Sequence, residues 1–267
     1  MPELAEVEYY RRQWSPGIGA NVLRVQVHGQ ARVFRGMVPE SIVHGLAGAR
    51  FRESFAHGKQ MLFGFSGGFW LGIHLGMSGE LLCLPPDAAP LRHDHLVLHQ
   101  KARTLVFRDP RMFGRVRLDQ GRMPPGWWRD LPPEILSREL SAERMTAMLQ
   151  RRAKSPLKPL LLDQSIFPGI GNWMADEILW RLRVHPSTPA GSLGKAAKVL
   201  LHETVQAVCR EALKVIATTW GRPPASWLFP HRWKDGGSCP RCDAPLLREA
   251  LRGRTTCWCP KCQRVPR

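Results

Sequence analysis

The chain has 267 residues, with 39 Lys and Arg against 22 Asp and Glu, a formal charge of +17. An excess of that size spread over the whole length calls for a polyanionic partner. Nucleic acid fits better than an anionic membrane, because no segment reads as a basic amphipathic helix. No apolar run is long enough to cross a bilayer, the acidic start shows no secretory pattern, and the seven cysteines do not suggest a disulfide framework.

The first fourteen residues, MPELAEVEYYRRQW, read as a short helix. Leu4, Val7 and Trp14 mark its buried side, and Glu3 and Glu6 lie three apart on one face. Removal of Met1 would leave Pro2 as a secondary amine titrating near about 8, a nucleophile of the kind that forms Schiff bases. The same residues also suit a plain helix start, where proline is favoured at the first position and Glu complements the dipole.

Alternation then replaces helical spacing. Leu23, Val25 and Val27 form one strand. Met61, Phe63 and Phe65, then Phe69, Leu71, Ile73 and Leu75, form a pair joined by a Ser66-Gly67-Gly68 turn. Short strands follow at His95–His99, Thr104–Arg108 and Arg115–Leu118, suggesting a sandwich or barrel. Residues 121–133, with four prolines and Trp127-Trp128, read as a linker with a packing patch. Helices are expected at Ser141–Arg152, Leu157–Asp163, Asn172–Arg183 and Leu193–Ala217. Trp220–Gly237 reads as a loop. Cys83 and Cys209 read as small core residues, and His93-Asp94-His95 as a strand with histidines on both faces rather than a metal site.

Chemistry gathers in a few motifs. Cys239-Pro-Arg-Cys242 and Cys259-Pro-Lys-Cys262, sixteen residues apart, have the spacing of one structural zinc ion closed by four thiolates. Cys257 competes for a place, but its spacing to Cys259 suits a tetrahedral knuckle poorly. Arg248, Arg252 and Arg254 then fall on a hairpin positioned to meet phosphates. Phe167-Pro-Gly-Ile-Gly-Asn172 precedes a helix, and glycine and a helix N-terminus together admit a phosphate. Asn172 could cap that helix or give its amide to a phosphate oxygen. Lys59 follows a glycine at a strand start. Met77 and Phe113, with Arg111, lie in glycine-bracketed turns, where apolar tips can wedge between base steps. Ordinary core packing is the plainer reading of both apolar residues.

Together these pieces resemble the formamidopyrimidine-DNA glycosylase / endonuclease VIII family of DNA repair enzymes. The resemblance rests on the PELAEVE start, GK at Lys59, HLGMSGEL around Met77, DPRMFG around Arg111, LLDQSIFPGIGNWMADEILW over 161–180, and the terminal cysteine ribbon. It implies a multidomain α+β fold. An N-terminal β-sandwich with its leading helix would span 1–120, and a linker 121–136. A helix–two-turns–helix domain would span 137–222, and a loop and zinc finger 223–267. DNA would lie in the cleft between the halves.

The resemblance implies a bifunctional glycosylase and abasic-site lyase. Pro2 would be its nucleophile, Glu3 the acid/base, Glu6 a supporting carboxylate and Lys59 an active-site lysine. His74, Asn172 and Arg254 would grip phosphates, and Met77, Arg111 and Phe113 would fill the gap left by the extruded nucleotide. Double-stranded DNA with oxidised bases or abasic sites would be its partner. The enzyme would act as a monomer with no membrane, in the bacterial cytoplasm at the nucleoid. A catalytically inactive protein that binds damaged DNA is the alternative. Three departures from the family pattern stand out. Ala5 replaces a proline, Met112 stands where many members have a second arginine, and 220–237 is shorter than the loop of the 8-oxoguanine-specific branch.

Overall fold

The computed structural model describes residues 1–264, so the last three residues of the expected 223–267 segment lie outside the described residues. The chain forms two compact units, Met1–Leu131 and Pro132–Arg267.

The first unit begins with helix α1, Leu4–Gln13. Eight strands follow: β1 (Arg24–Val27), β2 (Phe51–His57), β3 (Gln60–Phe65), β4 (Phe69–His74), β5 (Glu80–Leu84), β6 (Asp94–His99), β7 (Thr104–Arg108) and β8 (Arg115–Gln120). They pair antiparallel in two four-stranded sheets, β1-β6-β7-β5 and β2-β3-β4-β8. Alternating apolar side chains from both sheets meet in one core, Leu81, Leu96, Leu98, Leu105 and Phe107 with Met61, Phe63, Leu71, Ile73 and Val116. This is the expected sandwich, since each amphipathic sheet can hide its apolar face only against the other.

Trp14 fastens the leading helix to this core. It is fully buried, its ring lies 4.9 Å from that of Phe63, and its Nε1 donates to the carbonyls of Leu82 and Val106 at 3.2 and 3.3 Å. One side chain therefore touches strands of both sheets. Val7 is buried as expected, but Leu4 is only half-buried and Ala5 takes the inner position. Leu23 is 64% exposed and precedes the strand instead of joining it.

The Ser66–Gly68 turn forms between β3 and β4, with Gly67 and Gly68 at φ 76° and 75°. A Cβ on Gly68 would sit 2.8 Å from the Gly121 carbonyl oxygen, so glycine is required there for space as well as for φ. Helix α2, Glu40–Leu46, was not expected from the sequence; its Ile42, Gly45 and Leu46 are buried, but seven residues are too few for a clear helical period. Helix α3, Gly126–Arg129, forms within the segment expected to be a linker. Its Trp127 donates to Asp119 Oδ2 at 2.9 Å and lies under the Arg117 guanidinium at 4.6 Å.

The second unit carries α4 (Ala142–Arg151), α5 (Leu157–Leu161), α6 (Asn172–Arg181) and α7 (Lys195–Thr219), then the hairpin β9 (Leu247–Leu251) and β10 (Arg254–Trp258). Helices α4 and α6 pack on α7, and β10 packs on α6. Helix α6 is nearly enclosed, with Trp173 to Trp180 buried. Arg252 and Gly253, at φ 47° and 74°, make the two-residue turn between β9 and β10, the left-handed pair that matches strand twist.

Cys209 is fully buried, while Cys83 is only partly buried against the sandwich core. His95 turns inward and meets the Asp109 carbonyl at 2.9 Å. His93 is half-buried, and among the described residues neither histidine joins a metal-binding cluster.

Candidate active site and nucleic-acid interface

The start of α1 is built by its two acids. Glu3 is the N-cap, and its backbone N–H donates to Glu6 Oε2 at 3.0 Å, while the Glu3 side chain accepts the Glu6 N–H in a reciprocal capping box. Glu3 is thereby held at 3% exposure, unusual for a carboxylate. Pro2 beside it is half-buried and Met1 exposed. The positive end of the α1 dipole falls on this point.

A second group forms where β3, β4 and β8 end together. Gly58 and Lys59 make the turn between β2 and β3, and the register sets Gln60 opposite His74 and His74 opposite Arg115. Lys59 is buried there. His74 is pushed down to about 4, first by burial and then by the cations Lys59, Arg35 and Arg117. Its Nδ1 accepts the Gly76 N–H at 3.0 Å, which leaves the proton on Nε2. His74 at neutral pH is therefore an uncharged imidazole offering one N–H, a fixed donor set among positive charges. Arg35 and Arg117 were not singled out in the sequence. Arg35 donates to the Gly114 carbonyl at 2.6 Å. Burial first, and then repulsion from the neighbouring Arg115, lower the proton affinity of both arginines. The Arg115-Val116-Arg117 alternation was the available signal, but only strand pairing brings it against His74.

The turns holding Met77 and Arg111–Phe113 are joined by Asp109, which is fully buried. Its Oδ1 accepts from Ser78 Oγ at 2.6 Å and from the Arg111 N–H at 3.3 Å, and its Oδ2 accepts from the Gly114 N–H at 2.7 Å. Gly76, at φ 63°, runs so close that a Cβ would lie 2.4 Å from the Gly114 nitrogen. Met77, Met112 and Phe113 are 45%, 36% and 42% exposed, so core packing does not account for them. The Arg111 guanidinium lies 4.9 Å from the centre of the Phe113 ring. Three apolar tips and one arginine thus stand together on a rigid base.

In the second unit, Gly171 is the N-cap of α6 and Asn172 its first residue. The Asn172 amide donates to the Thr255 carbonyl at 2.8 Å, next to exposed Arg254. Gln164 secures the preceding loop: its amide donates to the carbonyls of Leu162 and Ile170, and its Oε1 accepts the Gly169 N–H. Beneath lies a buried ionic hub that the sequence did not reveal. Asp176 of α6 accepts from Lys158 Nζ at 2.5 Å, Arg232 Nη2 at 2.7 Å and the Cys257 N–H at 3.1 Å. Lys158 also donates to the Thr255 carbonyl at 3.0 Å. Asn172 and Arg254 therefore share one scaffold.

Cys239, Cys242, Cys259 and Cys262 bring their sulfurs within 4.8 Å of one another. Three of the sulfur pairs stand 3.5, 3.5 and 3.9 Å apart, close to the ~3.8 Å edge of a tetrahedron with metal–sulfur bonds of about 2.3 Å. The set could hold a metal ion. Trp180 Nε1 donates to Cys239 Sγ at 3.3 Å. Cys257 lies outside the cluster, and its thiol is pushed up to about 11, first by burial and then by Asp176. Of the Trp-rich loop, Trp227 is buried against Trp173 and the Arg181 guanidinium, while Trp220 and Trp233 are about half exposed, at 47% and 53%.

A capped N-terminal helix on a β-sandwich, a helical unit and a four-cysteine hairpin define the architecture of a DNA repair glycosylase. The comparisons with known proteins agree. Residues 1–116 match the formamidopyrimidine-DNA glycosylase N-terminal domain, and residues 131–222 the formamidopyrimidine-DNA glycosylase H2TH domain. A formamidopyrimidine-DNA glycosylase of Roseiflexus is 36% identical over 99% of this chain and all of its own length. One of Thermus thermophilus is 36% identical over 98% of each chain. Among solved structures, a point mutant of Lactococcus lactis formamidopyrimidine-DNA glycosylase bound to Fapy-dG-containing DNA superposes with a TM-score of 0.88 at 26% identity, covering 99% of this chain and 100% of that one. The same enzyme with abasic-site DNA aligns equally well, with a TM-score of 0.88. The chain belongs to the formamidopyrimidine-DNA glycosylase family, the DNA glycosylases of base excision repair.

Proposed function

We propose that this protein is a bifunctional DNA glycosylase and abasic-site lyase acting on double-stranded DNA that carries oxidised bases or abasic sites. The observation that carries this reading is Glu3, a carboxylate held at 3% exposure by the capping box immediately after Pro2. While Met1 is attached, the Pro2 nitrogen is an amide. Once Met1 is removed it becomes a secondary amine beside the positive end of α1, which favours its neutral, nucleophilic form.

The amine attacks C1′ of an extruded nucleotide, the damaged base departs with the glycosidic electron pair, and an iminium links Pro2 to the opened sugar. Glu3 supplies the proton that opens the ring, a role worth about 10²–10⁴-fold for a positioned acid. Glu6 orients Glu3. The iminium acidifies the C2′ proton, so elimination of the 3′ and then the 5′ phosphate cuts the strand, and water releases Pro2. Lys59 stands for the lesion's phosphate, and His74, Asn172 and Arg254 hold neighbouring phosphates. Extrusion costs a few kcal/mol of unstacking, which Met77, Arg111 and Phe113 offset by filling the gap.

Cys239, Cys242, Cys259 and Cys262 would hold one zinc ion, whose chemistry with four thiolates would be structural. The working parts are then 1–120, a linker at 121–136, the helical domain 137–222 and the finger 223–267, in a monomeric protein of the bacterial cytoplasm. Borohydride trapping on abasic-site duplex tests the chemistry. Processed protein should give a covalent adduct, reduced in Pro2→Gly and lost when the terminus is acetylated. Tight binding with no adduct would leave the inactive damaged-DNA binder.

A further inference from the structure

A groove of about 720 Å³ in the second unit is lined by Arg183, His185, Arg241, Lys261 and Arg264, and by Cys242 and Cys262. Apart from the proposed zinc ligands Cys242 and Cys262, no residue given a role above lines it. Among the described residues no carboxylate lines it. With a divalent metal on four thiolates the cysteine cluster carries two negative charges, and the end of α6 adds about half of one. The four fixed cations exceed that by more than one positive charge.

Three features make the groove more than a patch of surface charge. Arg183 occupies the left-handed position after α6, at φ 57°. There its N–H donates to the Trp180 carbonyl, and the Val184 N–H to that of Leu179. Glycine ordinarily takes this place, and arginine there costs roughly 1 kcal/mol. Arg241 is already fixed, donating to the Trp180 carbonyl at 3.0 Å with its guanidinium 4.1 Å from the centre of the Trp180 ring. His185 is 5% exposed, and its Nδ1 accepts the Ser187 N–H at 3.2 Å, so the proton sits on Nε2. That buried N–H has no hydrogen-bond partner among the described residues.

We propose that this groove binds phosphate, as the oxygens of a free oligophosphate or of a phosphodiester backbone, at a site separate from Asn172 and Arg254. Guanidinium forks match phosphate oxygens in pairs. Among the described residues no tryptophan, tyrosine or phenylalanine lines the groove, so the site takes phosphate without stacking a base.

The test titrates inorganic tripolyphosphate into the metal-loaded full chain by calorimetry at low salt. Wild type is compared with an Arg183→Gly/Arg264→Ser double variant. Both side chains are exposed and neither forms an ion pair among the described residues, and glycine keeps the left-handed turn. Saturable one-to-one binding is expected, weakened at least tenfold in the double variant and unchanged in Arg254→Ser. No saturable binding to wild type, or equal affinity in the double variant, overturns the proposal. Repeating the titration on protein saturated with short or long lesion duplexes separates the sources. A phosphodiester site loses tripolyphosphate to the long duplex only. A free-oligophosphate site keeps it with both.

Discussion

Ser78 Oγ donates to Asp109 Oδ1 at 2.6 Å across thirty-one residues of sequence. This bond locks the Met77 turn to the turn of Arg111 and Phe113. Because Asp109 also satisfies the N–H groups of Arg111 and Gly114, its removal strands three donors at once, that of Gly114 buried. Asp109→Ala should destabilise the protein by about 3 kcal/mol or more, and Ser78→Ala by about 1 kcal/mol. Urea unfolding checks both values, and the same variants should lose affinity for abasic duplex beyond their loss of stability.

Met77 and Phe113 are exposed and offer little to folding. Met77→Ala and Phe113→Ala should each change stability by less than about 0.5 kcal/mol. They should slow excision from duplex at least tenfold while leaving cleavage of single-stranded abasic DNA nearly unchanged, since no stack need be opened there. Paired kinetics on the two substrates give the ratio.

His74 has its folded value pushed down to about 4 from an ordinary 6.5. The unfolded chain therefore takes up a proton that the folded chain refuses. The associated stability is complete above pH 6.5 and is lost as the pH falls from 6.5 towards 4, by up to about 3 kcal/mol. His74→Gln should flatten that part of the acid profile. In the wild type, DNA affinity should show no His74 titration between pH 5 and 8, because the imidazole is neutral throughout that range. Proton-detected titration of the ring checks the value.

Metal content separates Cys257 from its neighbours. Cys257→Ala should retain one equivalent of zinc, while Cys239→Ala should lose it and unfold the β9–β10 hairpin. Plasma emission spectrometry with hydrogen exchange over 239–262 tests both. A loss of metal in Cys257→Ala would reassign the ligand set.

Asp176→Ala strips two buried cations, Lys158 and Arg232, of their shared carboxylate. It should cost about 3–5 kcal/mol. Milder Arg232→Met should retain the fold while loosening Arg254, read as lower abasic-DNA affinity and faster hydrogen exchange at Thr255 and Cys257.

The leading helix, six of the eight strands of the first unit, the positions of four helices in the second and the four-cysteine set follow from residues near one another in sequence, whereas β2 and β5 were not assigned as separate strands. Apolar period, capping pairs and ligand spacing act over a few positions, and these were legible from residues such as Val7, Phe63 and Cys239. Helix α2 was too short to show a period, and the cap of α6 fell to Gly171 because its backbone could take the extended entry. The neutral state of His74, its company of Arg35 and Arg117, the Asp109 brace and the Asp176 hub belong to the tertiary structure alone. Each depends on groups brought together by strand register or helix packing, and burial there sets how strongly those charges act on one another.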